Sequence, residues 1–427
     1  MIKKVDFNTI IIDICWFLLL VYPFNCTIFN KFYSNTFVLI LNIFLPIMTI
    51  FLLSYIRKIK KYQLIIVIII LGYILLFLIN NYYIIEKRYF YIIVYLLYLI
   101  FPFLLSYGNE KIIKSFEKIM CIFFIEHIVA TFFVQIFHTY YVTNIIPWIS
   151  NGNDENVGML LNSWAKAGYN SGFTGHYSTN GIYLATATIY FFAKNLNKSS
   201  KKNLLLTILA FVALLFTAKR AHILFTIITC VCAYIIFNKN RFDFSKTIIK
   251  FFVSGACIVT FFIILAIFIP QITNVIDRFT KDDLLSGRNV YYDICISKWK
   301  NKPILGNGWG YFSYYYNNYL YDSYSSTYVF QYIDAHNVFY QLLCETGIIG
   351  TSFVIGIIIY VFKLTLKLLK NNNDTIVIFS LCYQLFFILY CCSGNPLYDI
   401  QCYSIYFIIT GIVLGKSIKA KVSHTLK

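Results

Sequence analysis

The chain has 427 residues, of which 59% are hydrophobic and only 13% are charged. A water-soluble domain of this length cannot hide so much apolar surface, so the composition excludes a soluble globular protein and indicates a polytopic membrane protein. The formal net charge of +18 would suit a nucleic-acid-binding protein. However, Lys and Arg are concentrated in alternate loops between apolar segments, so the charge reflects membrane topology and we expect no nucleic-acid partner.

Apolar runs of about 15 to 25 residues predict helices, because only a segment that satisfies its own backbone hydrogen bonds can cross a bilayer. The run from Leu204 to Phe237 is too long for one span and breaks at Ala218-Lys219-Arg220. We therefore predict an all-α polytopic membrane protein with about twelve transmembrane helices. They lie near 8–24, 36–56, 63–80, 89–107, 119–138, 179–194, 203–218, 221–237, 248–269, 347–363, 375–392 and 399–415.

The positive charges orient these helices. If the N-terminus is cytoplasmic, 24 of the 36 Lys and Arg residues fall in short inner segments, so both termini are predicted to be cytoplasmic. The outer segments 139–178 and 270–346 are long, and loops of such length are usually functional. We predict an N-terminal bundle of about nine spans over 1–269, a large extracytoplasmic catalytic loop with short helices over 270–346, and a C-terminal bundle of about three spans over 347–427.

Two outward-facing arginines run against the insertion bias. Arg220 follows Lys219 between two spans, and Arg288 lies near the start of the long loop. A guanidinium group offers a planar fork of donors that matches phosphate oxygens, which suits a lipid headgroup or a diphosphate at that depth. The alternatives are that Lys219 and Arg220 only snorkel to the interface, and that Arg288 is a solvated residue opening an interfacial helix.

His336 lies just before a predicted helical run, Val338 to Thr346, that ends at Gly347. Histidine is the side chain best suited to accept a proton near neutral pH, for example from an acceptor hydroxyl. The alternative is a helix cap formed by Asp334 or Asn337, with His336 incidental.

His176 lies in a glycine-rich segment and is a candidate for lining the same cavity as His336. Ser178, Thr179 or Asn180 is the predicted cap of the span that follows. Three ionisable residues, Asp13, Glu126 and His127, fall inside predicted spans. Such groups usually face a cavity or a partner, and we favour interhelical hydrogen bonds over a proton path.

Aromatic residues dominate the middle of the long loop. The turn from Pro303 to Gly310 predicts a rigid re-entrant turn, and a tyrosine-rich tract follows it from Tyr311. Such rings can stack on sugars while their hydroxyl groups bond to sugar hydroxyls, although they also form interfacial belts. We favour glycan contacts, with Trp309, Tyr311 and Tyr315 as candidates.

Nothing in the sequence indicates a metal, a cofactor or a disulfide framework. There is no P-loop, HExxH or GxSxG motif, and the twelve cysteines lack a CxxC spacing.

Four sequence blocks resemble the O-antigen ligase and polysaccharide polymerase family of bacterial envelope glycosyltransferases. They are Thr217 to Arg220, Gly287 to Phe312, Ala335 to Asn337 with Glu345 to Gly350, and, more weakly, Gly175 to Gly181. The resemblance implies a metal-independent transfer at the outer face of the bacterial cytoplasmic membrane, from an oligosaccharide on undecaprenyl diphosphate. The partners that the resemblance implies are the lipid bilayer, an acceptor glycan, and flippase and chain-length regulator proteins.

By residue match, the resemblance implies that Arg220 and Arg288 hold the diphosphate and that His336 activates or orients the acceptor hydroxyl. The remaining candidate substrate contacts are Lys219, His176, Asn337, Trp309, Tyr311 and Tyr315. A bias toward Ile, Lys, Asn and Tyr hints at the AT-rich genome of a low-GC Gram-positive bacterium, which lacks lipid A. This favours a repeat-unit polymerase that makes capsule or exopolysaccharide, with an O-antigen-type glycan as a further product. A ligase that uses another acceptor, a flippase or other transporter, and a purely structural membrane scaffold are the alternatives.

Overall fold

The computed structural model describes residues 12–14, 16, 110–147, 155–174, 176–237, 287–324, 333–371 and 374–425. Helices are the regular elements of these ranges, which contain no β-strand, so the all-α prediction is confirmed for them. The elements are α1 Glu110–Ile136, α2 His138–Tyr140 with a π-helical turn Tyr141–Ile145, α3 Glu155–Lys166, α4 Tyr177–Asn197, α5 Lys201–Phe216, α6 Arg220–Phe237, α7 Asn289–Asn301, α8 Tyr311–Tyr324, α9 Val338–Asn371, α10 Thr375–Cys391 and α11 Ile400–Thr425.

Among the described helices, three are long and apolar enough to cross a bilayer: Glu110–Ile136, Arg220–Phe237 and Val338–Leu369. Shorter apolar helices cover Thr375–Cys391 and Cys402–Ser417. These five agree with predicted spans, and α4 and α5 occupy two further predicted positions. The count of twelve stays a prediction, because 36–56, 63–80, 89–107, 248–269 and most of 8–24 lie outside the described residues.

The described residues fall into two compact units. The first comprises the described residues of Met1–Met48, Lys111–Leu284 and Asn372–Phe386, and the second comprises those of Thr49–Glu110, Leu285–Asn371 and Phe387–Lys427. The predicted domain boundaries at 269 and 346 rest on loop length, and they stay a prediction.

In the first unit, α4 forms the centre of the core. Its side chains from Asn180 to Phe191 are all buried, and the segment before it is tied down by buried amides. The Asn170 Nδ2 donates to the Thr131 carbonyl oxygen at 2.9 Å, and the Asn180 Nδ2 donates to the Thr131 hydroxyl at 3.0 Å. These bonds fix the chain that leads into α4.

The break between α5 and α6 lies where the sequence predicts it. Helix α5 ends at Phe216 and α6 begins at Arg220. Ala218 adopts a left-handed conformation with φ 54°, and the Thr217 hydroxyl donates to the Leu214 carbonyl oxygen at 2.7 Å. The turn therefore closes α5 and places Lys219 between two helices, with Arg220 as the first residue of α6.

In the second unit, helix α9 is broken at Gly347, whose φ of 61° and ψ of −165° are not helical. The turn after α7 completes both broken ends. The amides of Asn307 and Gly308 donate to the carbonyl oxygens of Cys344 and Glu345 at 3.0 and 2.8 Å. In return, the amides of Ile348 and Ile349 donate to the carbonyl oxygens of Pro303 and Ile304 at 2.9 and 3.2 Å.

This interlock explains the cluster of Gly and Pro residues in the sequence. Backbone polar groups buried in an apolar environment need partners, and each end of the break finds them in the other segment. The two backbones approach so closely that a Cβ on Gly306 would lie 2.5 Å from the Glu345 carbonyl. The predicted rigid turn is thus a complement to the broken helix.

Candidate functional site

The turn that follows α10 holds together the two ends of the predicted catalytic loop. The Arg288 Nη1 donates to the Ser393 carbonyl oxygen at 2.6 Å. The Asn337 Nδ2 donates to the neighbouring Cys392 carbonyl oxygen at 3.0 Å. Arg288 and the residue next to His336 are therefore anchored on consecutive carbonyl groups, although 49 positions separate them in the sequence.

This turn was not predicted from the sequence as part of the site. Its amides follow the end of α10, with the Ser393 amide donating to the Tyr390 carbonyl oxygen at 3.1 Å. Gly394 lies so near the Tyr390 ring that a Cβ there would be 2.2 Å from a ring carbon. The signal was available, since Ser393-Gly394-Asn395-Pro396 between two apolar runs is typical of a turn.

Arg288 directly precedes the first turn of α7 and its side chain is partly exposed. The bond to the Ser393 carbonyl oxygen orients the guanidinium plane but uses one of its five N–H groups. The alternative prediction of a solvated residue that opens a helix is correct for the position, because Arg288 precedes α7. It is wrong for the side chain, which is hydrogen-bonded to the turn after α10.

His336 is exposed between two buried neighbours, Ala335 and Asn337. Its φ of 56° is in the left-handed region, which non-glycine residues adopt rarely and often at functional sites. Asn337 caps α9, because its Oδ1 accepts from the amides of Phe339 and Tyr340 at 3.0 and 3.2 Å. The capping alternative is correct for Asn337, and the anchored neighbours present the imidazole outward.

A pair of tyrosines on α7 adjoins this turn and was missed in the sequence. The Tyr291 ring is roughly parallel to the His336 ring with centroids 6.3 Å apart, and the Tyr292 ring stacks on Tyr340 at 4.9 Å. Partial burial raises the pKa of Tyr292 above its ordinary value, and the nearby Arg288 cation opposes this shift. The Tyr292 hydroxyl group is therefore protonated at neutral pH and can donate.

Trp309, Tyr311 and Tyr315 occupy the same unit. The Trp309 ring stacks on Tyr398 with centroids 5.2 Å apart, and Tyr311 and Tyr315 lie one turn apart on α8 with centroids 6.0 Å apart. The Lys298 Nζ lies 3.9 Å from the Tyr315 ring centroid, so it covers part of one face of that ring. Their contact with glycan stays a prediction.

In the first unit, Lys219 and His176 meet on one aromatic cluster. The Lys219 Nζ lies 4.7 Å from the Tyr177 ring centroid. The His176 ring stacks on Tyr177 at 4.7 Å and meets Trp164 edge-on at 4.4 Å. Arg220 follows as the first residue of α6, with its side chain partly exposed.

His176 is itself the N-cap of α4, so the prediction of a cap at Ser178, Thr179 or Asn180 is wrong. Its extended backbone, φ −155° and ψ 133°, brings the ring over the first turn, where the Nδ1 accepts from the Ser178 amide at 2.9 Å. Burial, reinforced by the Lys219 cation, lowers the pKa of His176 to about 4. The neutral ring with an accepting Nδ1 carries its proton on Nε2, so it can donate to a ligand but not act as a base through Nδ1.

This cap makes stability depend on pH. Between about pH 6.5 and 4, His176 is protonated in the unfolded chain but stays neutral in the native protein. The free energy of unfolding therefore falls as pH drops through that window, by about 3 kcal/mol in total. The measurement is the melting temperature in detergent from pH 8 to pH 4. His176→Asn keeps an accepting cap without a titration in this range, so it should flatten the curve; an unchanged slope in this variant would contradict the assignment.

The ionisable residues inside predicted spans have local partners. Asp13 accepts from the Ser115 hydroxyl and pairs with Lys118, both on α1, so the expectation of an interhelical bond is confirmed for it. His127 instead contacts Glu126, its neighbour in sequence, and the Phe123 carbonyl oxygen of its own helix, at 3.2 Å from Nδ1. For His127 the bonds seen are therefore within one helix.

A comparison with protein-family models matches residues 205–355 to the family described as O-antigen ligase. Residues 205–355 are therefore similar to the O-antigen ligase family. The match confirms the resemblance that the sequence blocks suggested. The family comprises membrane glycosyltransferase-like ligases and polymerases that act on lipid-linked glycans. No curated protein matches the chain.

The O-antigen ligase domain runs from within α5 to within α9. It includes Arg220, Arg288 and His336, the three candidates for catalysis, together with the interlocked turn and helix break. His176 and the turn at Cys392 and Ser393 lie outside it. The anchor that holds Arg288 and Asn337 is thus supplied from beyond the matched domain.

Proposed function

We propose that the protein polymerises undecaprenyl-diphosphate-linked oligosaccharide repeat units at the outer face of the cytoplasmic membrane. One observation carries the proposal: Arg288 and Asn337 donate to adjacent carbonyl groups, so a planar cation and the His336 turn are attached to the same segment of the chain. The match of residues 205–355 to the O-antigen ligase family supports the same chemistry.

In the proposed reaction, the acceptor hydroxyl oxygen bonds to the anomeric carbon of the donor sugar while the bond from that carbon to the diphosphate oxygen breaks. Negative charge then develops on the leaving diphosphate. A guanidinium group with N–H donors in one plane can stabilise this charge by paired hydrogen bonds. We assign this role to Arg288 and, by residue match, to Arg220, with Lys219 as a further cation.

His336 is assigned to the acceptor. Its imidazole is exposed and its backbone is fixed on both sides, so it is suited to accept or orient the hydroxyl proton as the new bond forms. Most of the rate gain would then come from holding the two glycans in a reactive geometry. His176, with its Nε2 donor, is assigned to binding rather than proton transfer.

No observation on the described residues favours the transporter alternative. That hypothesis depended on charges inside spans, and two of them are tied to neighbours: Asp13 to Ser115 and Lys118, and Glu126 to His127. Transport sites instead use charges near the membrane midplane that face a cavity.

The test uses purified protein in detergent with a synthetic undecaprenyl-diphosphate oligosaccharide and EDTA, with products followed by mass spectrometry. A ladder of repeats is expected. A single transfer only to an added, different acceptor would indicate a ligase, and donor that crosses liposomes without product would indicate a transporter.

His336→Asn and His336→Gly are expected to lose the ladder, with a fall in turnover of about 100-fold or more. Both residues adopt positive φ more readily than other residues, so either variant should keep the turn while removing the imidazole. A melting temperature at or above that of the unmodified protein provides the control for folding. Turnover near normal in both variants would refute the role of His336.

A further inference from the structure

Behind the His336 turn lies a buried polar network that the proposed reaction does not use. Gln341 and Glu345 are one turn apart on α9, and both side chains are fully buried. The Gln341 Nε2 donates to the Glu345 Oε1 at 3.2 Å and, more weakly, to Asp334 Oδ1 at 3.5 Å. The Tyr398 hydroxyl group donates to the other Glu345 oxygen at 2.9 Å.

The oxygen of the Gln341 side-chain amide holds the His336 turn. The Gln341 Oε1 accepts from the Ala335 amide at 3.0 Å and from the Asn395 Nδ2. A backbone amide can only donate, and a carboxylate can only accept. The carboxylate on one side and the amide on the other therefore leave one orientation for the Gln341 side chain, in which its oxygen accepts and its nitrogen donates.

The order of dependence follows from these contacts. Glu345 and Tyr398 fix the Gln341 amide, the amide holds the Ala335 N–H, and Ala335 precedes the left-handed His336. A carboxylate buried in an apolar helix costs free energy unless it is fully hydrogen-bonded. Strained backbone at a functional turn also persists only where its surroundings over-determine it.

We propose that Gln341, Glu345 and Tyr398 are positioning residues that set the direction of the His336 imidazole toward the acceptor glycan. This inference rests on the proposed function of His336. The network also reaches the aromatic residues, because the Tyr398 ring stacks on Trp309. It therefore couples the His336 turn to a candidate glycan contact.

The experiment compares three variants of the full-length protein. Tyr398→Phe removes the hydroxyl donor but keeps the ring on Trp309. Gln341→Met removes the amide. The matched control is Gln384→Met, since Gln384 is also fully buried in a helix but donates to Ser380 of that same helix, at 3.0 Å.

The first readout is amide hydrogen exchange in peptides that cover Ala335 to Tyr340, which does not depend on activity. Exchange there should accelerate about tenfold or more in Tyr398→Phe and further in Gln341→Met, but not in Gln384→Met. The second readout is kinetic: turnover should fall about tenfold in Tyr398→Phe, with the KM for the lipid-linked donor unchanged and the pH profile shifted.

The two hypotheses fail in different ways. If the unmodified protein yields no ladder of repeats, the proposed function falls, and if His336→Asn keeps full turnover, the proposed role of His336 falls. In either case the exchange measurement still decides whether the network holds the turn. If Tyr398→Phe leaves both exchange and turnover at the level of the Gln384→Met control, the inference is overturned. Should Gln341→Met fail to fold, the comparison of Tyr398→Phe with Gln384→Met is sufficient to decide.

Discussion

Replacement of Arg288 by lysine is expected to abolish most glycosyl transfer although it conserves the positive charge. The shorter point charge of lysine cannot both reach the Ser393 carbonyl oxygen, bonded at 2.6 Å by the native Nη1, and offer two parallel N–H donors to a diphosphate. Loss of one preorganised donor to a developing anion typically costs about 10² to 10³ in turnover. We expect a fall of that order in the lipid-linked donor assay with EDTA present.

The control for Arg288→Lys is Lys302→Gln, which removes an exposed cation from the end of α7. This variant should retain normal turnover, since water and salt screen the charge of an exposed side chain. If Arg288→Lys also retains near-normal turnover, the arginine does not hold the diphosphate and the central assignment fails.

The second large effect is expected on folding. Gly347→Ala places a Cβ 2.3 Å from the Ile304 carbonyl oxygen and 2.6 Å from the Gly306 amide nitrogen. The φ of 61° with ψ −165° is also a region that glycine alone adopts without strain. The variant must open the interlock and expose four backbone hydrogen bonds, so we expect it to lose about 3 to 5 kcal/mol or fail to fold.

The measurement for Gly347→Ala is the yield of monodisperse protein on size-exclusion chromatography together with its melting temperature. Gly356→Ala supplies a matched control in the same helix, because a Cβ there meets nothing within 4 Å. Alanine favours helix over glycine by about 1 kcal/mol, so this control should be as stable as the original or more so. Equal stability of the two variants would contradict the interlock.

Local patterns were sufficient to predict much of the fold. The break at Ala218 to Arg220 and the end of the first helical run at Gly347 follow from charge and glycine in apolar sequence, and the structure contains both. Asn337 as a cap follows equally from local propensity. These features depend on a few neighbouring residues, which is why the sequence could reveal them.

The contacts that form the site could not be predicted in this way. Arg288 and Ser393 are 105 positions apart, and no local sequence pattern around either residue predicts their contact. His176 was missed as a cap because propensity favours small hydroxyl and amide side chains there, whereas a stacked ring on Tyr177 holds the imidazole in place. The pairing of Tyr398 with Glu345 likewise becomes visible only when the chain is folded.

The broken helix α9 has a consequence for how the protein is made. The residues that complete the break, Pro303 to Gly308, precede Gly347 by about forty positions in the chain, so they leave the ribosome before the break is synthesised. Unsatisfied backbone groups are expensive in a lipid environment. The hydrogen-bond partners of the broken helix are therefore synthesised before the break itself. A circular permutation that moves this turn to the C-terminal side of α9 should impair membrane insertion, although every residue of the site is unchanged.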